Sequence, residues 1–164
     1  FSDQRGTFVK TYRQDIFAQH KFATDFKEEY YSTSKKGVIR GMHFQIPPYD
    51  HEKFVYCCTG NVMDVIVDLR VGSPTYGEYA AIEISAERAN AVYIPKGMAH
   101  GFQVLSDWAI MMYKVTSLYV SNADSGVRWD SMGIPWKKEE VVMSDRDKRF
   151  ICFEDFCSPF FYGC

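Results

Sequence analysis

The sequence lacks any apolar run near the ~20 residues needed to cross a bilayer as a helix. Its amino terminus, FSDQRGTFVK, has no signal-peptide pattern. It also lacks an excess of either charge: 19 Lys and Arg stand against 21 Asp and Glu, a formal charge of −2. That balance argues against a nucleic-acid-binding surface, so an anionic ligand must be met by a few placed cations. No CxxC pair occurs. The five cysteines, Cys57, Cys58, Cys152, Cys157 and Cys164, are odd in number and begin with an adjacent pair. They fit neither a disulfide framework nor a zinc site. Free, mostly buried thiols in a soluble cytoplasmic protein are expected, with no membrane or nucleic-acid partner. Repeats and low-complexity linkers are missing too, so residues 1–164 read as one domain. The chain opens at Phe1 without a Met, which leaves room for residues before it.

What is present is apolar and aromatic: 46% hydrophobic and 16% aromatic residues, enough for a sizeable core. Only Arg13 to His20 reads as helix. Beyond Glu28 the chain falls into short β-branched and aromatic runs, among them GVIRGMHFQ, NVMDVIVDLR and WAIMMYKVTSLYV. Turn signals such as Pro47-Pro48, Thr59-Gly60-Asn61 and Pro95-Lys96-Gly97 separate them. Short strands without intervening helices predict an all-β sandwich or barrel of antiparallel strands with a few short helices.

From Asn61 the alternation puts Met63, Val65, Val67 and Leu69 on one face and Val62, Asp64, Ile66 and Asp68 on the other. The second face mixes apolar and acidic groups, as a barrel mouth does. The run from Trp108 to Val115 is apolar on both faces, which predicts a core on one side and a partner subunit, in a homodimer, on the other. The Phe- and Cys-rich tail, residues 150–164, is expected to pack against the domain or a partner.

Histidines mark three segments: Arg40-Gly41-Met42-His43-Phe44-Gln45, His51-Glu52-Lys53 and Ile94 to Phe102, which carries His100. The arrangement suits a cupin-like jelly roll, whose metal site commonly begins with an HxH pair. Here the pair is His43 and Gln45, and an amide oxygen is a poor ligand for metals that suit imidazole. A metal site from His43, Glu52 and His100 is the weaker alternative, and no metal or other cofactor is expected. His43 is the natural base at neutral pH. Lys53 or His100 would stabilise charge growing on a carbonyl oxygen, and Tyr113 would return a proton on the opposite face. Taken singly, each has a plain structural reading. His43 serves as a hydrogen-bonded strand residue, Tyr113 as a barrel aromatic, Lys53 and Arg40 as edge charges, and Asp147 as the first turn of a helix capped by Ser144.

Several motifs occur in order: Asp3 to Phe8, Gly37 to Gln45, Asp64 to Arg70, Ser73 to Gly77, Ile94 to Phe102, Tyr113-Lys114, Gly126 to Asp130 and Ser144 to Asp147. Together they resemble the dTDP-4-dehydrorhamnose 3,5-epimerase family over nearly the whole chain. The resemblance implies a dimeric jelly roll that works without a metal on a nucleotide-diphosphate sugar. By position, His43 matches the family's base, Asp147 the carboxylate that orients it, and Tyr113 the acid. Lys53 and His100 match residues around the 4-keto oxygen. Arg40 matches the sugar-diphosphate site, and Tyr119 an aromatic near the base. Arg5 and Phe8 match positions that reach a neighbouring subunit's nucleotide. Glu28 and Gln45 are added as substrate-binding candidates.

The resemblance leaves open a related epimerase with another nucleotide or with inversion at C3 alone, and a sugar-nucleotide-binding barrel without catalysis. Glu28, Glu29 and Tyr30 stand where most family members read Gln, Asp, Asn, and the family's first strand is expected to be absent. Strict alternation would put Arg40 and His43 on opposite faces, so a bulge or kink is predicted at Gly41.

Overall fold

A computed structural model describes residues 1–138 and 141–163. The predicted helix appears as α1 (Gln14–Gln19), after a small hairpin of β1 (Ser2–Asp3) and β2 (Gly6–Thr7). The strand runs become β3 (Glu28–Lys35), β4 (Ile39–Gln45), β5 (Lys53–Thr59), β6 (Asn61–Asp68) and β7 (Tyr79–Ser85). They continue as β8 (Ala91–Ile94), β9 (Met98–Val104), β10 (Trp108–Val115) and β11 (Asp124–Gly126). A four-residue helix, α2 (Asp145–Lys148), follows, with Ser144 capping it through the Asp147 backbone N–H as its sequence position predicts.

The strands form two antiparallel sheets, ordered β3-β10-β5-β8 and β11-β4-β9-β6-β7. This is the expected all-β sandwich. Between the sheets, Val62, Phe102 and Val104 from one side meet Val55, Cys57, Ala109 and Met111 from the other. The outer face of the five-stranded sheet is apolar as well. Val65, Val67 and Leu69 pack there under Ile134, Trp136 and Phe160, which come from the chain that follows β11. Both faces of β6 are therefore buried, as its residue pattern requires.

The four-stranded sheet differs. Ala109, Met111, Tyr113 and Val115 of β10 are buried inward, while Trp108 is 48% exposed and Tyr31, opposite Met112 on β3, is 67% exposed. Among the described residues, α1 and its flanks cover the β5–β8 side of this outer face, where Phe17 packs edge-on against Phe54 and Phe22 stacks on Tyr93, while the side carrying Tyr31 and Trp108 stays open.

The cysteines correct one expectation. Cys57 is buried, but Cys58 and Cys157 are exposed and Cys152 is only half-buried. Cys58 follows Cys57 on a strand, so alternation turns it outward. In the tail the phenylalanines take the apolar contacts, with Phe160 buried and Phe153 and Phe156 packed on the same cluster. Cys164 lies outside the described residues. Among the described residues no helix is long and apolar enough to cross a membrane.

Candidate active site

Along the inward faces, composition changes from one end of the sandwich to the other. β9 runs Val104, Phe102, His100; β10 runs Ala109, Met111, Tyr113; β5 runs Cys57, Val55, Lys53. The apolar ends make the core. The polar ends open into a cavity of about 430 Å³, within the range of small-molecule sites. His43, Lys53, His100 and Tyr113 all line it, as do Glu28, Arg40, Gln45 and Tyr119.

The predicted irregularity brings Arg40 and His43 there together. Against β9, Arg40 pairs with Phe102 and His43 with His100, so three steps on β4 oppose two on β9. That extra residue is a β-bulge, and it turns both side chains to one side. Gly41 sits in it with φ +144°, and a Cβ there would lie 2.6 Å from the Gly101 Cα. Glycine meets both demands.

His43 and Asp147 come together from β4 and α2. His43 Nε2 lies 2.9 Å from Asp147 Oδ1, a hydrogen-bonding distance although the ring N–H is not well aimed at it. Asp147 Oδ2 accepts from the Gly41 backbone N–H at 3.3 Å. Burial acts to raise the Asp147 pKa, but the His43 ring and the Gly41 N–H outweigh it and hold the carboxyl below its ordinary value. With Nε2 turned to a carboxylate, Nδ1 is the nitrogen left to take a proton.

Lys53 is buried, and its Nζ donates to the His43 carbonyl at 3.3 Å. Burial lowers its pKa to about 8, against the opposing pull of Asp124 and Asp64. Tyr113 shares a hydrogen bond of 3.0 Å with Ser32 Oγ. Burial raises its pKa, with the Ser32 bond as a partial offset, so the phenol is held protonated. A buried ammonium and a protonated phenol facing a histidine–carboxylate pair can remove, stabilise and return a proton.

Other candidates are placed differently. Gln45 is in the wall, but its amide is committed: Nε2 donates to the Tyr49 carbonyl, and Oε1 accepts from the Val120 N–H at 2.7 Å. It ties together the loops around the mouth. Glu28 Oε1 accepts from the Tyr119 N–H at 3.1 Å. Arg5, paired with Asp3, and Phe8 are exposed and belong to no wall of this cavity.

Sequence reasoning missed several participants. Asp64 Oδ2 lies 2.7 Å from His100 Nε2, and Arg146 pairs with Asp124 at 2.8 Å on the rim. Only the mixture of apolar and acidic residues on one face of β6 hinted at Asp64. Tyr30 and Ser32 also line the cavity, as does His51, whose pKa burial lowers to about 3 with help from Lys53 and Lys96. Among the described residues no three His, Cys, Asp or Glu side chains group as metal ligands.

Comparison with known proteins gives one answer. The family model for dTDP-4-dehydrorhamnose 3,5-epimerase matches residues 1–155. A dTDP-4-dehydrorhamnose 3,5-epimerase of Shigella flexneri is 39% identical over 150 residues, which is 90% of this chain and 83% of that one. Among solved structures, a dTDP-6-deoxy-D-glucose-3,5-epimerase of Legionella pneumophila, in complex with dTDP-4-keto-L-rhamnose, superposes with a TM-score of 0.93. It is 33% identical, over 98% of this chain and 89% of its own. A 3'-monoepimerase of Streptomyces bikiniensis, in complex with dTDP-quinovose, gives a TM-score of 0.87 at 32% identity, over 92% and 78% of the two chains. With its fold, its motifs and nearly its full length matched, the chain belongs to the dTDP-4-dehydrorhamnose 3,5-epimerase family.

Proposed function

We propose that the protein epimerises a nucleotide-linked 4-keto-6-deoxy sugar, converting dTDP-4-dehydro-6-deoxyglucose to dTDP-4-dehydrorhamnose. The observation that carries this reading is that His43 and Tyr113 stand on opposite sheets and line one cavity. His43 Nδ1 takes the proton from a carbon beside the C4 ketone, and the electron pair moves onto the carbonyl oxygen. The Lys53 ammonium and His100 stabilise that enolate oxygen. Tyr113 then delivers its hydroxyl proton to the opposite face of the flat intermediate, which inverts the carbon. The phenolate regains a proton from solvent, and His43 releases the one it took. Asp147 keeps the His43 proton on Nε2 throughout.

Arg40 meets the diphosphate and Tyr119 and Glu28 border the nucleotide-sugar, while Arg5 and Phe8 serve the nucleotide site of a second copy. Their exposure in the hairpin suits that role. The open side of the four-stranded sheet's outer face, carrying Tyr31 and Trp108, favours a homodimer. Light scattering at micromolar concentration checks this, with a mass of one chain as the contrary result. The chain acts as one cytoplasmic cupin-like domain. No metal takes part, because Gln45 stands where a ligand imidazole would and its amide already serves the loops. Full activity after exhaustive chelation is the expected result.

The direct test is proton NMR with dTDP-4-keto-6-deoxyglucose in deuterium oxide. Wild-type protein should replace the C3 and C5 protons with deuterium, and folded His43→Ala should replace neither. Full exchange by that variant would overturn the assignment of the base, and no exchange by wild type would overturn this substrate.

A further inference from the structure

Tyr30 has no part in the steps above, yet it touches the proton donor. It lies directly opposite Tyr113 in the β3–β10 pairing, and the two rings stack with centroids 4.8 Å apart and planes 16° apart. Ser32, two residues further along the same face of β3, holds the Tyr113 hydroxyl. On the other side of Tyr113, β5 presents fully buried Val55. The donor is thus held at its ring by Tyr30, at its hydroxyl by Ser32, and backed by packed core.

The two carbons that can exchange, C3 and C5, flank the ketone carbon on opposite sides. One donor serves both only if its ring swings or the sugar shifts. A stacked, hydrogen-bonded donor flanked by core does not swing freely. We infer that Tyr30 is a positioning residue: by stacking on Tyr113 it confines the proton donor and so sets the ratio of protonation at C3 and C5. The inference rests on the epimerase reading. Tyr30 does not itself act as a second acid or base near neutral pH. Burial, with the Glu28 and Asp124 carboxylates nearby, raises its hydroxyl to about 12.

The test measures initial deuterium incorporation at C3 and at C5 by NMR for wild type, Tyr30→Phe and Tyr30→Leu, with kcat and KM. Tyr30→Phe keeps the ring and should keep the wild-type ratio. Tyr30→Leu removes the stack and should move the ratio by about two- to tenfold, the range an aromatic pair contributes, chiefly through kcat. If wild type exchanges one carbon only, the Leu variant should bring exchange at the other into view. Should Tyr30→Leu fail to fold, Tyr30→Val is a strand-compatible replacement for the same measurement, and Ser32→Ala frees the other end of the donor. An unchanged ratio in the folded ring-free variant would overturn the inference, as would a Phe variant that shifts as far as Leu. Wild type exchanging neither carbon would instead overturn the epimerase reading, and this inference with it.

Discussion

Two histidine–carboxylate pairs sit side by side in this barrel, built from the same groups and differing in almost everything else. His43 and His100 are directly paired across β4 and β9. His43 meets Asp147 at 2.9 Å, with the His43 side chain 30% exposed. His100 meets Asp64 at 2.7 Å, with side chains 5% and 0% exposed. The second pair is assembled within one sheet, since His100 lies opposite Ile66 on β6 and Asp64 is the diagonal neighbour on the same face. The first needs a bulge in β4 and a helix from the far end of the chain. A proton carrier needs one nitrogen tied and the other open to substrate. In the proposed mechanism His100 has only to be held beside the ketone oxygen, and burial inside a sheet does that.

The comparison breaks if the two histidines respond alike to mutation. His43→Asn should lower exchange by about 10³- to 10⁴-fold, near the upper range for general base catalysis, with little change in thermal stability. His100→Asn should cost stability above all, with a smaller loss of exchange from the weakened contact to the enolate oxygen. It leaves Asp64 as a buried carboxylate whose partner is gone, a loss of about 3–5 kcal/mol measured by urea denaturation. If His100→Asn were as stable as wild type, the Asp64 pair would not have the structural role assigned to it. Asp147→Asn comes next: it keeps the shape but favours the wrong tautomer of His43. An activity loss of roughly 10²-fold or more, with stability nearly kept, is expected by analogy with other carboxylate-oriented histidines.

Lys53, whose ammonium lies on the His43 carbonyl, separates chemistry from stability through pH. Its pKa in the folded protein, about 8, is below its ordinary 10.5. In the proposed mechanism the charged form stabilises the enolate, so kcat/KM should fall as pH rises through about 8, a limb that reports the free enzyme. Stability should move the other way. The unfolded chain holds this proton more tightly than the folded one between pH 8 and 10.5, so burial costs stability fully below pH 8 and less as pH rises. The span is on the order of 3 kcal/mol. Denaturation of Lys53→Met across the same pH range should lack that rise, and an equal rise in the variant would assign it to other groups.

Much of this site was legible in the sequence because strands read locally. Alternation along β6 separated its two faces, and the clash between alternation and a shared site for Arg40 and His43 located the bulge at Gly41. The partners of the histidines were harder. Asp64 reaches His100 only because β6 lies beside β9, and Arg146 reaches Asp124 only because the C-terminal run crosses the five-stranded sheet. Strand order is a long-range property that period-two reading does not carry. The cysteines show a signal overlooked: two adjacent strand residues cannot both face the core, so Cys58 had to point outward once Cys57 pointed in.

The smallest expected effect concerns the glycine crossing between the two pairs. A Cβ on Gly101 would lie 2.6 Å from Met42 Sδ and 2.9 Å from the Arg40 carbonyl, both on the bulged strand. Gly101→Ala should therefore push on β4 and cost about 1–3 kcal/mol, as overpacking does. The disturbance should be unequal. β9 is held between β4 and β6, so His100 stays on Asp64, whereas the bulge carrying Arg40 and His43 has to give way. A few-fold fall in kcat/KM that spares the His100 imidazole NMR signals and shifts those of His43 is the expected pattern. Equal shifts at both rings would mean that the bulge and the buried pair move as one body, and that the division of labour between the histidines is not built into the sheet.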